Sequence, residues 1–204
     1  MMRMFFMAAA FALALTAATR ADAAPAGEVL AMGGQCFRVT GSERAALKIG
    51  DPVSVGDSVE VPQGAKLKLR MADGTILAAA SGSRLTIENY ALGGATKRDA
   101  KLELASGLVR AVVAAVGEPQ KFEVDTATGV AAVRSTDWFI EAKGDATQVG
   151  VLEGVVTLQS VATHDEVRIP ARWGARVVGD HDPVPPRVWM SSEFDDVISR
   201  TDVP

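Results

Sequence analysis

Few residues in this 204-residue chain are suited to chemistry. Nucleophilic catalysis needs a Ser, Thr or Cys beside a base that takes its proton, and only His164 and His181 offer an imidazole for that role. His164 stands in Thr163-His164-Asp165-Glu166, a polar turn between strands, which reads as a solvated loop. Asp180-His181-Asp182 sets metal-ligand types side by side, but neighbouring residues of a Pro-rich segment cannot all converge on one ion. Glu153 with Asp137 is a carboxylate pair of the kind a glycosidase uses, although Glu153 is equally explained as a turn residue. Cys36, the sole cysteine, has no internal disulfide partner. In a strand it shares a face with Arg38, which points to partial exposure and would allow a disulfide-linked dimer, but free cysteines are so often buried that a small apolar residue in a crevice is the preferred reading. No Gly-rich phosphate loop precedes a helix. Positive charge is scattered, and a formal charge of −4 gives no affinity for nucleic-acid phosphates. These residues predict no enzyme, no cofactor and no metal centre, and they leave a secreted hydrolase as the weakest of the functional readings.

The elements around these residues are strands. Asp125 to Ser160 holds two β-branched runs separated by Lys143-Gly144-Asp145, which reads as a β-hairpin turning at Gly144. Thr136, Trp138, Ile140 and Ala142 share one face of the first run, with Trp138 as the inward anchor. Val149, Val151, Val156 and Leu158 line the answering face. Inward parity changes at Leu152-Glu153-Gly154, where a glycine permits a positive φ or a close backbone approach. Arg134 and Asp137 lie near the bend at Ser135 and are expected to pair with each other or to touch a partner.

Upstream, Lys66 to Met71 alternates Lys66, Lys68 and Arg70 against Leu67, Leu69 and Met71, a half-buried strand. Turns recur at Lys48-Ile49-Gly50-Asp51, Val55-Gly56-Asp57 and Asp73-Gly74-Thr75. Further strands are expected at Lys101 to Leu104, Leu108 to Val113 and Lys121 to Val124. Ala91 to Arg98 and Ala114 to Gln120 read as connectors. Strands of about 4–7 residues with such frequent turns imply an all-β domain, either a β-sandwich or a solenoid-like stack, and spacing alone does not choose. After Val178 comes a Pro-rich spacer, then Ser192 to Ile198 as a capped helical turn with Phe194, Val197 and Ile198 on one face. Docking of that stripe back onto the domain is favoured over an exposed apolar face.

The segments TATGVAAVRSTDWFIEA and TQVGVLEGVVTL resemble the central signature of the FecR domain, a Val-Arg-Gly-Thr-x-Phe strand followed by a V-x-V-L-E-G-x-V-x-V return. Ser135 stands where that family usually has Gly, and Trp138 where it usually has Phe. Arg134, Ser135, Thr136, Trp138, Leu152, Glu153 and Gly154 thus form the structural signature. The run from Lys48 to Ile87, with its Gly-Asp and Asp-Gly-Thr turns, resembles the first half of the same domain. The resemblance spans about Lys48 to Gly174 and implies a twisted β-solenoid-like stack of short strands, which sets a FecR-like β domain at residues 24–178; the shift in composition sets a Pro-rich tail with a short helix apart at 179–204.

Residues 1–23 read as a signal peptide, with Arg3, an apolar run from Met4 to Ala18 and an Ala21-Asp22-Ala23 cleavage site. The run is shorter than the ~20 residues a membrane span needs. Cleavage near Ala23/Ala24 predicts a periplasmic or secreted protein rather than an integral membrane one. FecR regulators of iron-citrate uptake carry a cytoplasmic segment and a transmembrane helix, neither of which is recognisable here. The leading expectation is therefore an exported, non-enzymatic module that binds an envelope protein or polymer, with Arg134 and Asp137 on its partner surface. The alternative is a periplasmic component of iron-uptake signalling acting through a separate membrane partner.

Overall fold

The computed structural model describes residues 25–93, 97–117 and 120–203. The expected signal peptide lies outside the described residues. The first half contains β1 (Gly27–Gly33), β2 (Phe37–Thr40), β3 (Glu43–Ala46), β4 (Pro52–Val53), β5 (Ser58–Val61), β6 (Lys66–Met71), β7 (Ile76–Ala79), β8 (Ser83–Leu92) and β9 (Arg98–Val112). The second contains β10 (Gln120–Asp125), β11 (Gly129–Val133), β12 (Asp137–Lys143), β13 (Ala146–Glu153), β14 (Val155–Ser160), β15 (Glu166–Pro170), β16 (Trp173–Val178) and β17 (Arg187–Val188). One helix, α1 (Ser191–Thr201), follows.

Two layers share β9. One runs β4-β1-β6-β7-β9-β12-β13-β16-β17. The other runs β3-β2-β5-β8-β9-β10-β11-β14-β15. Arg98 to Ser106 of β9 pair in the second layer, and Gly107 to Val112 pair in the first. The single strand replaces the two expected at Lys101 to Leu104 and Leu108 to Val113. Its crossing falls at Gly107, which has φ +92° and where a Cβ would stand 2.3 Å from Ser83 Oγ. Only glycine fits there without strain.

The chain changes layer after nearly every hairpin, so the all-β fold is wound like a solenoid, with open layers that do not close into a barrel. Inward side chains alternate along the strands: Leu67, Leu69 and Leu77 from one layer meet Leu85, Leu102, Phe122 and Leu158 from the other, all buried in one cluster. The organising hairpin is β12–β13, turned at Gly144 with φ +61°. Thr136, Trp138, Ile140 and Ala142 are inward on its first strand, as the alternation predicts, and parity flips at Gly154, whose φ is +89°.

Cys36 follows the buried reading rather than the strand-parity one. It precedes β2 instead of belonging to it, so strand parity does not extend to it, and its carbonyl is held by the Leu47 N–H at 2.9 Å. The side chain is fully buried, and burial pushes the thiol pKa up to about 11. A disulfide dimer through Cys36 is therefore overturned. Thiol reagents should leave the native protein unlabelled and modify Cys36 only after denaturation. Rapid labelling under native conditions, or a covalent dimer on a non-reducing gel, would contradict that burial.

The Pro-rich tail returns to the first layer. β17 pairs with β16, and α1 buries Phe194 and Val197 against Ala80, Leu108, Phe139 and Trp189 on that layer's outer face. This second cluster explains why Phe139 is buried although it points away from Trp138. Two glycines make room for it. A Cβ on Gly150 would stand 2.2 Å from the Phe139 ring, and one on Gly174 only 1.9 Å from Trp189 Nε1. The two glycines are cross-strand partners, so they create one flat plate on which the aromatic rings lie. The helix is longer than the expected turn, and its start is held by the Glu193 carboxylate, which accepts from the Met190 N–H at 2.8 Å, rather than by Ser192. At its far end, Lys66 Nζ donates to the carbonyls of Ser199 and Asp202, at 2.7 and 2.8 Å, and Lys68 Nζ donates to that of Val203. Lysines at the carbonyl end complement the helix dipole.

Candidate partner-binding site

The signature residues prove to be two layer crossings in contact. Arg134-Ser135-Thr136 carries the chain from β11 in the second layer to β12 in the first, and Leu152-Glu153-Gly154 carries it back from β13 to β14. A Cβ on Gly154 would meet Thr136 Oγ1 at 2.8 Å and the Ser135 carbonyl oxygen at 3.0 Å. Gly154 thus serves both the positive φ and the close approach. Thr136 is buried, and its carbonyl accepts from Val113 N–H at 2.9 Å. Ser135 needs no left-handed backbone, since the positive-φ residues other than glycine are His164 and Arg172 among the described residues. Trp138 is fully buried beneath the crossing, while Leu152 packs against the aromatic plate and Glu153 is exposed.

Asp137 does not pair with Arg134. Its carboxylate accepts a two-point hydrogen bond from Arg110, Nε at 2.9 Å and Nη2 at 2.7 Å, because Arg110 lies on the neighbouring β9 strand of the same layer. These bonds raise the Arg110 pKa above its ordinary value. Asp137 is the cross-strand neighbour of Glu153, but with Asp137 committed to Arg110 the pair is not an acid and base facing a cleft. Arg134 remains at the surface, and Asp137 is partly covered.

What holds Arg134 in place is a residue that the sequence placed in a connector. Arg98 begins β9, and its side chain is fully buried. Nη2 donates to the Arg134 carbonyl at 2.7 Å and to Gln120 Oε1 at 3.1 Å; Nη1 donates to the Ala114 carbonyl at 2.9 Å and to Asp73 Oδ2 at 2.7 Å. The Asp73 carboxylate, also buried, further accepts from Tyr90 Oη at 2.8 Å and from the Thr75 N–H and hydroxyl, each at 2.9 Å. Burial raises the Asp73 pKa, but the hydrogen bonds from Arg98, Thr75 and Tyr90 outweigh it and leave the carboxyl below its ordinary value. The Asp-Gly-Thr turn, read from sequence only as a turn, is therefore one half of a buried ion pair that anchors the crossing.

Beyond the crossing, the outer face of the second layer carries a groove of about 350 Å³. Lys121 and Arg134 form one rim, Arg168 the other, and Ala132, Val155 and Thr157 lie between. Ala132, Thr157 and Arg168 are neighbours across β11, β14 and β15, which sets the groove's width by strand spacing. Sequence reasoning found Arg134 but not Lys121 or Arg168, which belong to no signature and are brought to one groove only by the non-adjacent pairing of β11 with β14. The other nominated groups stay apart from it: His164 lies in the β14–β15 turn, His181 after β16, and Cys36 before β2. No group of three His, Cys, Asp or Glu residues suited to a metal ion occurs among the described residues.

Comparison with curated proteins finds no match. Among solved structures, two crystal structures of a protein assigned as an anti-sigma factor from Parabacteroides distasonis ATCC 8503, at 1.65 and 2.50 Å resolution, share the fold. Both are 15% identical in sequence, with TM-scores of 0.56 and 0.55, and the match covers 68% of this chain. The chain spans 62% of the length of those structures. Residues 57–157, which contain both crossings and the Arg98–Asp73 pair beneath them, match the family model described as FecR protein, and the chain is therefore a FecR-domain protein.

Proposed function

We propose that this protein is an exported, non-enzymatic FecR module that recognises a partner protein in the cell envelope as part of a signalling assembly. The observation that carries the reading is the contrast between the two outer faces. The first layer is covered by the chain's own tail, whereas the second leaves the groove beside the FecR crossing open, on a rigid and internally anchored scaffold. The shared fold with an anti-sigma factor supports a protein partner over a small-molecule substrate. The apolar run and Ala-x-Ala site of residues 1–23 support the envelope location. A role in iron-uptake signalling through a separate membrane partner is the narrower form of the same reading and rests on the family alone.

The test is affinity capture from envelope extract with amino-terminally tagged residues 24–204, run beside a Thr157→Trp variant that fills the groove. A protein retained by the parent and lost by the variant is the expected result. Equal retention by both, or sedimentation with insoluble envelope polymer alone, would refute it.

A further inference from the structure

We infer that the cleft between β16 and the returning tail binds a small organic carboxylate, a monoanion with a short apolar body. The cleft is a cavity of about 300 Å³ on the outer face of the first layer, beside the aromatic plate. Its floor is the sheet. Gln148 and Arg176 stand opposite one another on β13 and β16, next to the Gly150–Gly174 pair, and alternation puts all four on the outward face. Its wall is the tail. The Val184 N–H donates to the Arg176 carbonyl at 2.8 Å, and Arg187 pairs with Gly174. Pro185 and Pro186, between those two tethers, have no N–H to continue the pairing, so the ladder is interrupted where the cavity opens.

The cavity gathers hydrogen-bond donors that have no acceptor. Trp189 is 6% exposed, and its indole Nε1 stands so close over Gly174 that any side chain there would collide with it. That N–H, the Gln148 amide and the Arg176 guanidinium form no hydrogen bond or ion pair among the described residues. Arg187 borders the cavity too, but both its Nη atoms donate to the Glu193 carboxylate, so Arg176 supplies the free positive charge. No Asp or Glu borders the cavity to repel an anion, and no Ser, Thr, Cys or His is there to transform a ligand, so the site binds without catalysis. One free cation with two neutral donors matches a single carboxylate, whereas a phosphate dianion would lack its second cation. Val184 and Pro185 offer an apolar side, and the volume lies at the lower end for small-molecule sites, which suits a compact body. This site and the partner-binding groove are on different layers, so the inference is independent of the partner-binding reading.

The probe is 3-phenylpropionate, with 3-phenylpropionamide and inorganic phosphate as controls, titrated into nitrogen-15-labelled protein and followed at the indole N–H signals of its three tryptophans. Trp138→Phe and Trp173→Phe assign two of these signals and leave that of Trp189 by elimination. The acid should shift the Trp189 signal saturably, with a Kd below about 10 mM, and leave Trp138 unmoved. The amide should bind roughly tenfold or more weakly, and Arg176→Gln should cost the acid a similar factor, as a charge-assisted contact requires. Arg176 is exposed, so its substitution should keep the parent's thermal midpoint and any loss of binding is not a loss of fold. Equal shifts by acid and amide, tighter binding of phosphate, a shift that never saturates, or acid binding unchanged in Arg176→Gln would overturn the inference. Thr157→Trp, which fills the groove on the other layer, should leave acid binding intact, and Arg176→Gln should still capture the envelope partner, so either reading can fail while the other stands.

Discussion

Replacing Trp138 by alanine is expected to cost roughly 3–5 kcal/mol, a large part of the ~5–15 kcal/mol that stabilises an ordinary domain. The indole is fully buried between the layers, directly beneath the crossings, so truncation removes apolar contact and leaves a cavity that two hydrogen-bonded sheets cannot close. Phenylalanine should behave differently. Trp138 Nε1 is buried without a hydrogen-bond partner among the described residues, and an unmet donor of that kind costs about 1–3 kcal/mol. Trp138→Phe removes that cost while giving up part of the packing, and its net effect should stay within about 1.5 kcal/mol of zero. Urea denaturation of both variants checks this. A midpoint for Trp138→Ala equal to the parent's would mean the indole is not the core anchor.

The second large effect belongs to the buried ion pair. Arg98→Met should destabilise by about 3–5 kcal/mol, because Asp73 would stay buried without its charged partner. Adding Asp73→Asn should restore much of that loss, since no uncompensated charge then remains. Acid provides an independent readout. The Asp73 carboxyl has a lower pKa in the folded state than its ordinary value of about 3.9 in the unfolded chain. Its stabilisation is therefore complete above about pH 4 and is lost as pH falls through the lower folded value. The parent should lose stability over that acid range more steeply than the Arg98→Met/Asp73→Asn variant. Parallel acid profiles would show that the pair contributes nothing through ionisation.

The inward residues of the central hairpin were legible in sequence because a period of two survives wherever one face meets the core and the other does not. That logic succeeded for Trp138 and for the parity change at Gly154, and with the resemblance it brought Arg134 forward. It failed wherever a second contact came from far along the chain. Phe139 looked outward until α1 covered it, and Asp137 looked available to Arg134 until Arg110 arrived from β9. Arg98 sat at the end of a Gly-containing polar stretch, where an arginine is ordinarily solvated; its burial depends on Asp73, Tyr90 and three segments of backbone or amide that no local pattern links. For Cys36 the general tendency of free cysteines to be buried was the better guide, because the parity argument extended one residue past the start of β2.

The glycine-flattened plate also bears on the order in which the polypeptide is made. α1 is synthesised after every strand, so Phe139, Ala80 and Leu108 remain uncovered in a nascent chain whose inner core can already form. During that interval the plate is a sticky surface of the kind chaperones recognise. Lys66 and Lys68, which finally clasp the carbonyl end of the helix, meanwhile stand as charges on the same outward face and discourage sheet-to-sheet aggregation. A molecule clipped before Trp189 would bare the plate again and return Phe139, Ala80 and Leu108 to solvent.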